Sequence, residues 1–193
     1  MSNNKVYITV CRHERYGVGD TPIWREGMVR AWQTGNNLRQ ILPPCDAIYH
    51  SPLARAKTTA EFQALGLQCN HLLQVDELSE DTPKFEVQKF FNRLLQYSNE
   101  DSFFYSFVTH LPVIEKFGLP FLAAGDVCLL TADNREQMLA ENFTLEVISA
   151  APVSAETWQK IDHTPTTIEA LSSAEIYGLL NKFGCRYEKT LNR

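Results

Sequence analysis

No apolar run in this sequence approaches the ~20 residues of a membrane span, so no membrane partner is expected. There is no CxxC pair, no HExxH and no Cys/His spacing of the zinc-binding kind, so no metal is expected. The dinucleotide fingerprint is missing too, since Gly17–Gly19 is only a GxG, and no cofactor is expected. An excess of positive charge is also lacking: the net charge is −5. That argues against a general nucleic-acid or anionic-membrane surface and leaves room only for a local cationic pocket. The five cysteines, Cys11, Cys45, Cys69, Cys128 and Cys185, are odd in number and widely spaced among apolar neighbours. They read as reduced thiols of a cytoplasmic protein. The opening MSNNKVYITV holds one Lys and runs straight into a strand pattern, a poor signal peptide. No internal repeat appears.

What is present is an ordinary globular balance, 44% hydrophobic and 21% charged over 193 residues. That suits a single domain spanning 1–193. Val6, Ile8 and Val10 alternate with Tyr7, Thr9 and Cys11, a strand buried on both faces. A loop broken by Gly17, Gly19 and Pro22 follows. Met28, Val29, Trp32, Leu38, Ile41 and Leu42 then fit an amphipathic helix over about 26–42. Cys45–His50 is a second strand, which opens a βαβ unit. Ser51 as N-cap and Pro52 as first residue start a helix that Gly66 stops. Leu72–Val75 is a third strand. Thr82-Pro83 opens a helix to about Tyr97, with Val87, Phe90, Phe91, Leu94 and Leu95 as its apolar stripe. Phe103–Val108 reads as a central parallel strand and Leu111–Phe121 as a shortened helix. Asp126–Thr131 and Phe143–Ser149 read as a hairpin, or as antiparallel edge strands with a long connection. A last helix is expected at Ile176–Phe183 within a C-terminal extension, 151–193, that packs on the domain.

The chemistry gathers where strands end, which is where open α/β sheets bind ligands. Arg12 and His13 follow the first strand, Arg55 opens the helix after the second, and Thr109-His110 ends a later one. Each alone suits a solvated or structural residue; three such junctions on one sheet edge are harder to attribute to chance. A helix N-terminus attracts anions. A cationic Arg55 there is misplaced unless a bound anion lies between the two. Asp76-Glu77-Leu78-Ser79-Glu80-Asp81 puts four carboxylates after the third strand, one of which can serve as a general acid.

Two guanidinium forks, an imidazole nucleophile and an acid are what metal-free phosphoryl transfer requires. Competing phosphate motifs fail. Six positions after Cys11 stands Gly17 rather than Arg, and neither GxxxxGK[ST] nor GxSxG occurs.

Arg12-His13, Ser51-Pro52-Leu53-Ala54-Arg55-Ala56 with Thr58-Thr59-Ala60, and Thr109-His110-Leu111-Pro112 come in the order of the histidine phosphatase, or phosphoglycerate-mutase-like, superfamily, which the chain resembles from about Val6 to Ala150. It looks nearest to the small bacterial phosphohistidine phosphatases. The resemblance implies a three-layer α/β/α sandwich with a mostly parallel central sheet and an antiparallel edge strand. It implies His13 as the nucleophile that forms a phosphohistidine, and Arg12, Arg55 and His110 as phosphate ligands. Leu78-Ser79-Glu80 is similar to the Leu-x-Glu that carries the proton donor in the mutase branch, which favours Glu80 over Glu77. The expected activity is metal-independent hydrolysis of a phosphomonoester or phosphohistidine, on a phosphorylated small molecule or phosphoprotein.

Glu14 departs from the Arg-His-Gly signature of that superfamily. At ~4 Å and an effective dielectric near 20, a carboxylate aimed at the anion would oppose binding by roughly 4 kcal/mol. If Glu14 turns away, towards Arg15 or Arg25, the pocket survives. If it points in, the alternative is a weakened pseudo-phosphatase that binds a phosphorylated ligand or protein partner.

Overall fold

The computed structural model describes residues 5–98 and 102–150. The C-terminal extension at 151–193 and its expected helix lie outside them. The elements run β1 (Val6–Arg12), α1 (Arg25–Ile41), β2 (Ala47–His50), α2 (Ala54–Leu67), β3 (Leu72–Gln74), α3 (Lys84–Tyr97), β4 (Phe103–Thr109), α4 (Leu111–Lys116), β5 (Val127–Ala132), α5 (Arg135–Leu139) and β6 (Thr144–Ile148). A 3-10 turn, Asp76–Leu78, follows β3.

One six-stranded sheet has the order β3-β2-β4-β1-β5-β6. β3, β2, β4 and β1 pair in parallel, while β5 is antiparallel to both β1 and β6. The sheet is therefore mostly parallel, with its antiparallel pairings at one edge. β1 and β4 lie at its centre. Their side chains alternate between two cores, as a two-period strand must. Val6, Ile8, Val10, Phe103 and Phe107 pack with Val87 and Leu95 of α3, Val113 and Ile114 of α4 and Met138 of α5. Cys11, Phe104 and Val108 pack on the other face with Leu38 of α1 and Ala56, Ala60, Ala64 and Leu67 of α2. Helices on both faces make three α/β/α layers.

The helix ends differ from the sequence reading. α2 begins at Ala54 with Leu53 as its N-cap, and α3 at Lys84 with Pro83 as its N-cap. Ser51 and Thr82 are drawn into other hydrogen bonds: Ser51 Oγ meets His110, and Thr82 Oγ1 donates to Asp76 O at 3.2 Å. Gly66 does not stop α2. The helix runs on to Leu67 and is capped by Gln68 at φ 57°. A Cβ on Gly66 would run into Trp32 O of α1, and one on Gly35 into Gln63 O of α2. The two glycines are there to let the helices cross closely. Ile41, read as part of the α1 stripe, is exposed at the end of that helix.

Candidate active site

The β1–β4 register decides the centre of the site. Arg12 pairs with Thr109 across parallel strands, so His13 and His110 leave the sheet side by side. His13 N donates to Thr109 O at 3.0 Å. The two imidazole rings lie 5.0 Å apart, centroid to centroid. β2 is the next strand along, and Ser51 N donates to Val108 O at 3.1 Å. That carries the first turn of α2, and with it Arg55, to the same edge. The segment after β3 is tied in by Thr109 Oγ1, which donates to Leu78 O at 2.7 Å, and by Lys116 Nζ, which donates to Glu80 O at 2.6 Å. Glu80 thereby faces the histidines.

His13 is buried, and its Nδ1 lies 2.7 Å from Glu14 O. A carbonyl only accepts, so Nδ1 carries the proton and Nε2 keeps its lone pair. Burial, helped by the Arg55 and Arg12 charges, holds the His13 pKa down to about 4. The imidazole is therefore neutral and nucleophilic at pH 7. His110, fully buried, has Nε2 2.8 Å from Ser51 Oγ and Nδ1 3.2 Å from Glu80 Oε1. Burial first, then His13, Arg55 and Arg12, push its pKa down to about 2. Two neutral imidazoles beside two permanent cations make a pocket that a phosphate dianion would balance; its charge would raise both pKa values.

Arg55 is buried. One Nη donates to Glu80 Oε1, the other lies 3.5 Å from Asp20 Oδ1, and its guanidinium stacks 4.5 Å over the Tyr16 ring. Arg12 Nη1 donates to Leu122 O at 2.9 Å. Its guanidinium lies 5.7 Å from the Phe121 ring centroid. Glu77 instead pairs with Arg93 of α3 at 3.0 Å. Glu80 is 38% exposed at its side chain, a carboxyl that can exchange protons with solvent. His13, Glu80 and His110 offer ligand atoms within 4.8 Å of one another. Two histidines and a carboxylate can hold a divalent metal. Here the carboxylate is neutralised by Arg55, and a second guanidinium lies nearby, so the electrostatics favour an anion.

Glu14 turns away from this pocket and lies against Arg30, while Arg15, one of the two cations the sequence reading named, also favours its charged form. Its carboxylate is 1% exposed, and Oε1 lies 3.3 Å from Arg30 Nε. Burial raises its pKa to about 8 even with that cation beside it. The sequence reading missed Tyr16, Asp20 and Ser51 as site residues. Tyr16 lies edge-on to His13, with ring centroids 5.1 Å apart. An aromatic three residues past a strand-end His was its only trace in the sequence.

Residues 9–104 match the model of the "Histidine phosphatase superfamily (branch 1)", a stretch that holds Arg12, His13, Arg55 and Glu80. A search of curated protein sequences found no match. Among solved structures, the chain is similar to the protein histidine phosphatase SixA complexed with tungstate, at a TM-score of 0.63 and 16% identity, over 74% of this chain and 96% of that one. It is similar to the putative phosphohistidine phosphatase SixA from Nakamurella multipartitia, at 0.58 and 18%, over 77% and 98%. It is also similar to a Plasmodium falciparum phosphoglycerate mutase, at 0.54 and 22%, over 78% and 96%. At these identities the likeness is one of fold.

Proposed function

We propose that this chain, whose residues 9–104 match the histidine phosphatase superfamily model, is a metal-independent phosphatase that works through a phosphohistidine on His13. The observation that carries this reading is the convergence of four separate segments on one point: His13 after β1, Arg55 on α2, Glu80 after β3 and His110 after β4. Arg12, Arg55 and His110 would bind the phosphoryl oxygens. Nε2 of His13 would attack phosphorus, the bond to the leaving oxygen would break, and Glu80 in its acid form would give that oxygen its proton. Water would then attack the phosphohistidine, losing its proton to Glu80, and phosphate would leave. With an acid on hand for poor leaving groups, small phosphomonoesters are the favoured substrate class over phosphohistidine. Glu14, buried against Arg30, keeps its carboxyl out of the pocket, which weighs against a pseudo-phosphatase that binds without turnover.

The test is hydrolysis of 4-nitrophenyl phosphate without added metal, with His13→Ala as control. Turnover that survives a chelator and disappears in His13→Ala, with an acid-labile phosphoenzyme in the wild type, supports the reading. Turnover that persists in His13→Ala, or is lost with the chelator, overturns it.

A further inference from the structure

We propose that the buried Glu14 side chain is a positioning residue for His13, acting through Glu14's own carbonyl. The proposal rests on the reading of His13 as nucleophile, and deepens it. Glu14 O accepts the Nδ1 proton of His13 at 2.7 Å, so any movement of that carbonyl turns the imidazole. The Glu14 main chain is held from its other side by its own N–H, which donates to Thr59 Oγ1 at 3.1 Å. Thr59 Oγ1 donates in turn to Arg55 O at 2.8 Å, which links the Glu14 N–H to the backbone of the phosphate-binding arginine.

The side chain adds the third tether. It lies in a slot with glycines on two sides. A Cβ on Gly27 would come within 2.8 Å of Glu14 Cβ, and one on Gly125 would overlap Glu14 Oε1. Arg30 of α1 lies against that oxygen at 3.3 Å and also donates from Nη2 to Ala124 O at 3.0 Å. The next residue, Gly125, donates its N–H to Arg12 O at 3.0 Å. His13 is thus gripped on both sides of the chain by one unit. The 124–125 turn holds Arg12 directly and reaches Glu14 through Arg30. Where the superfamily signature has a glycine with no side chain to anchor, this chain sets a buried carboxyl of the same residue against Arg30 of α1. The charged and titratable groups around Glu14 are Arg30, Glu26, Arg15 and Cys11.

A misplacement of 1 Å at a reacting group can lower a rate by ~10²-fold. In Glu14→Ala, kcat for 4-nitrophenyl phosphate is expected to fall roughly 10- to 100-fold with KM unchanged within about threefold. Glu14→Gln, which keeps the reach and an acceptor oxygen, should retain most of the activity. Glu14→Asp, one methylene short of Arg30, serves where the alanine variant does not fold. The independent readout is the ¹⁵N NMR tautomer of His13: a fixed Nδ1–H form in the wild type and in Glu14→Gln, and an averaged form in Glu14→Ala or Glu14→Asp. A folded Glu14→Ala with unchanged kcat and tautomer overturns the proposal, as does a rise in KM alone. A wild type without turnover whose His13 tautomer still shifts on substitution sinks the phosphatase reading and upholds the positioning one.

Discussion

Oε1 of Glu80 stands 3.2 Å from Nδ1 of His110, and the same oxygen receives a hydrogen from Arg55. The carboxylate takes up an Arg55 donor that a phosphoryl group would use. On the proposed mechanism, an incoming anion would displace it and leave Glu80 beside the leaving oxygen. Replacing it by Gln should therefore separate two effects. Inorganic phosphate should bind several-fold tighter to Glu80→Gln, while turnover of an alkyl phosphate should fall by ~10²-fold or more, the range of general acid catalysis. Turnover of 4-nitrophenyl phosphate, whose leaving group needs little help, should change far less. Isothermal titration and a leaving-group series measure both, and equal losses across the series would remove Glu80 as the acid.

Arg55 offers two forked nitrogens from a buried position. A charge-assisted hydrogen bond contributes ~1.5–3 kcal/mol, so Arg55→Met should weaken phosphate binding by roughly 10- to 100-fold or more. Arg55→Lys should rescue little, because an ammonium cannot span two oxygens or stack on Tyr16 as the planar fork does. Binding of inorganic phosphate by both variants checks this.

His13 should titrate far below an ordinary histidine, because burial and two guanidiniums hold its pKa near 4. A ¹H–¹³C NMR titration of the free protein should show its ring still neutral at pH 5.5. The stability sign follows from linkage. A depressed histidine contributes stability that is present above its unfolded pKa of about 6.5 and lost as the pH falls through about 4. His13→Ala should accordingly lose less stability than the wild type between pH 6.5 and 4.

Glu14 should act in the opposite sense. Its folded pKa is raised from 4.5 to about 8, so its contribution is full below 4.5 and is lost as the pH rises through about 8. The melting temperature of the wild type should decline relative to Glu14→Gln between pH 5 and 8.5. Parallel curves for the two proteins over that range would contradict the raised pKa.

The α1–α2 crossing should tolerate no side chain. In Gly66→Ala the new methyl meets the Trp32 carbonyl and Asn36 N, both backbone atoms that cannot swing aside. Overpacking costs ~1–3 kcal/mol, at roughly 2–4 °C per kcal/mol in a protein of this size. Thermal unfolding of Gly66→Ala and Gly35→Ala should show drops of roughly 5–10 °C.

The strands and most apolar stripes were legible because alternation and helical spacing are local. Val87, Phe90, Phe91, Leu94 and Leu95 all reach the core as their spacing demands. Gly66 was misread for the opposite reason. A stop signal and a close-packing glycine look alike until the second helix is in place. Tyr16 and Asp20 sit in a loop without periodicity, and only the fold brings them to Arg55.

The order of elements, the sheet edge on which Arg12, His13, Arg55 and His110 gather, and the anion chemistry they offer were determined by the sequence itself. Strand period, strand-end position and side-chain type require no partner to be read. The direction of Glu14, the pairing of Arg55 with Glu80 and the depressed histidine pKa values were decided only by the tertiary structure. Each depends on which distant groups exclude water or supply charge, as Arg30 of α1 and the bare faces of Gly27 and Gly125 do for Glu14.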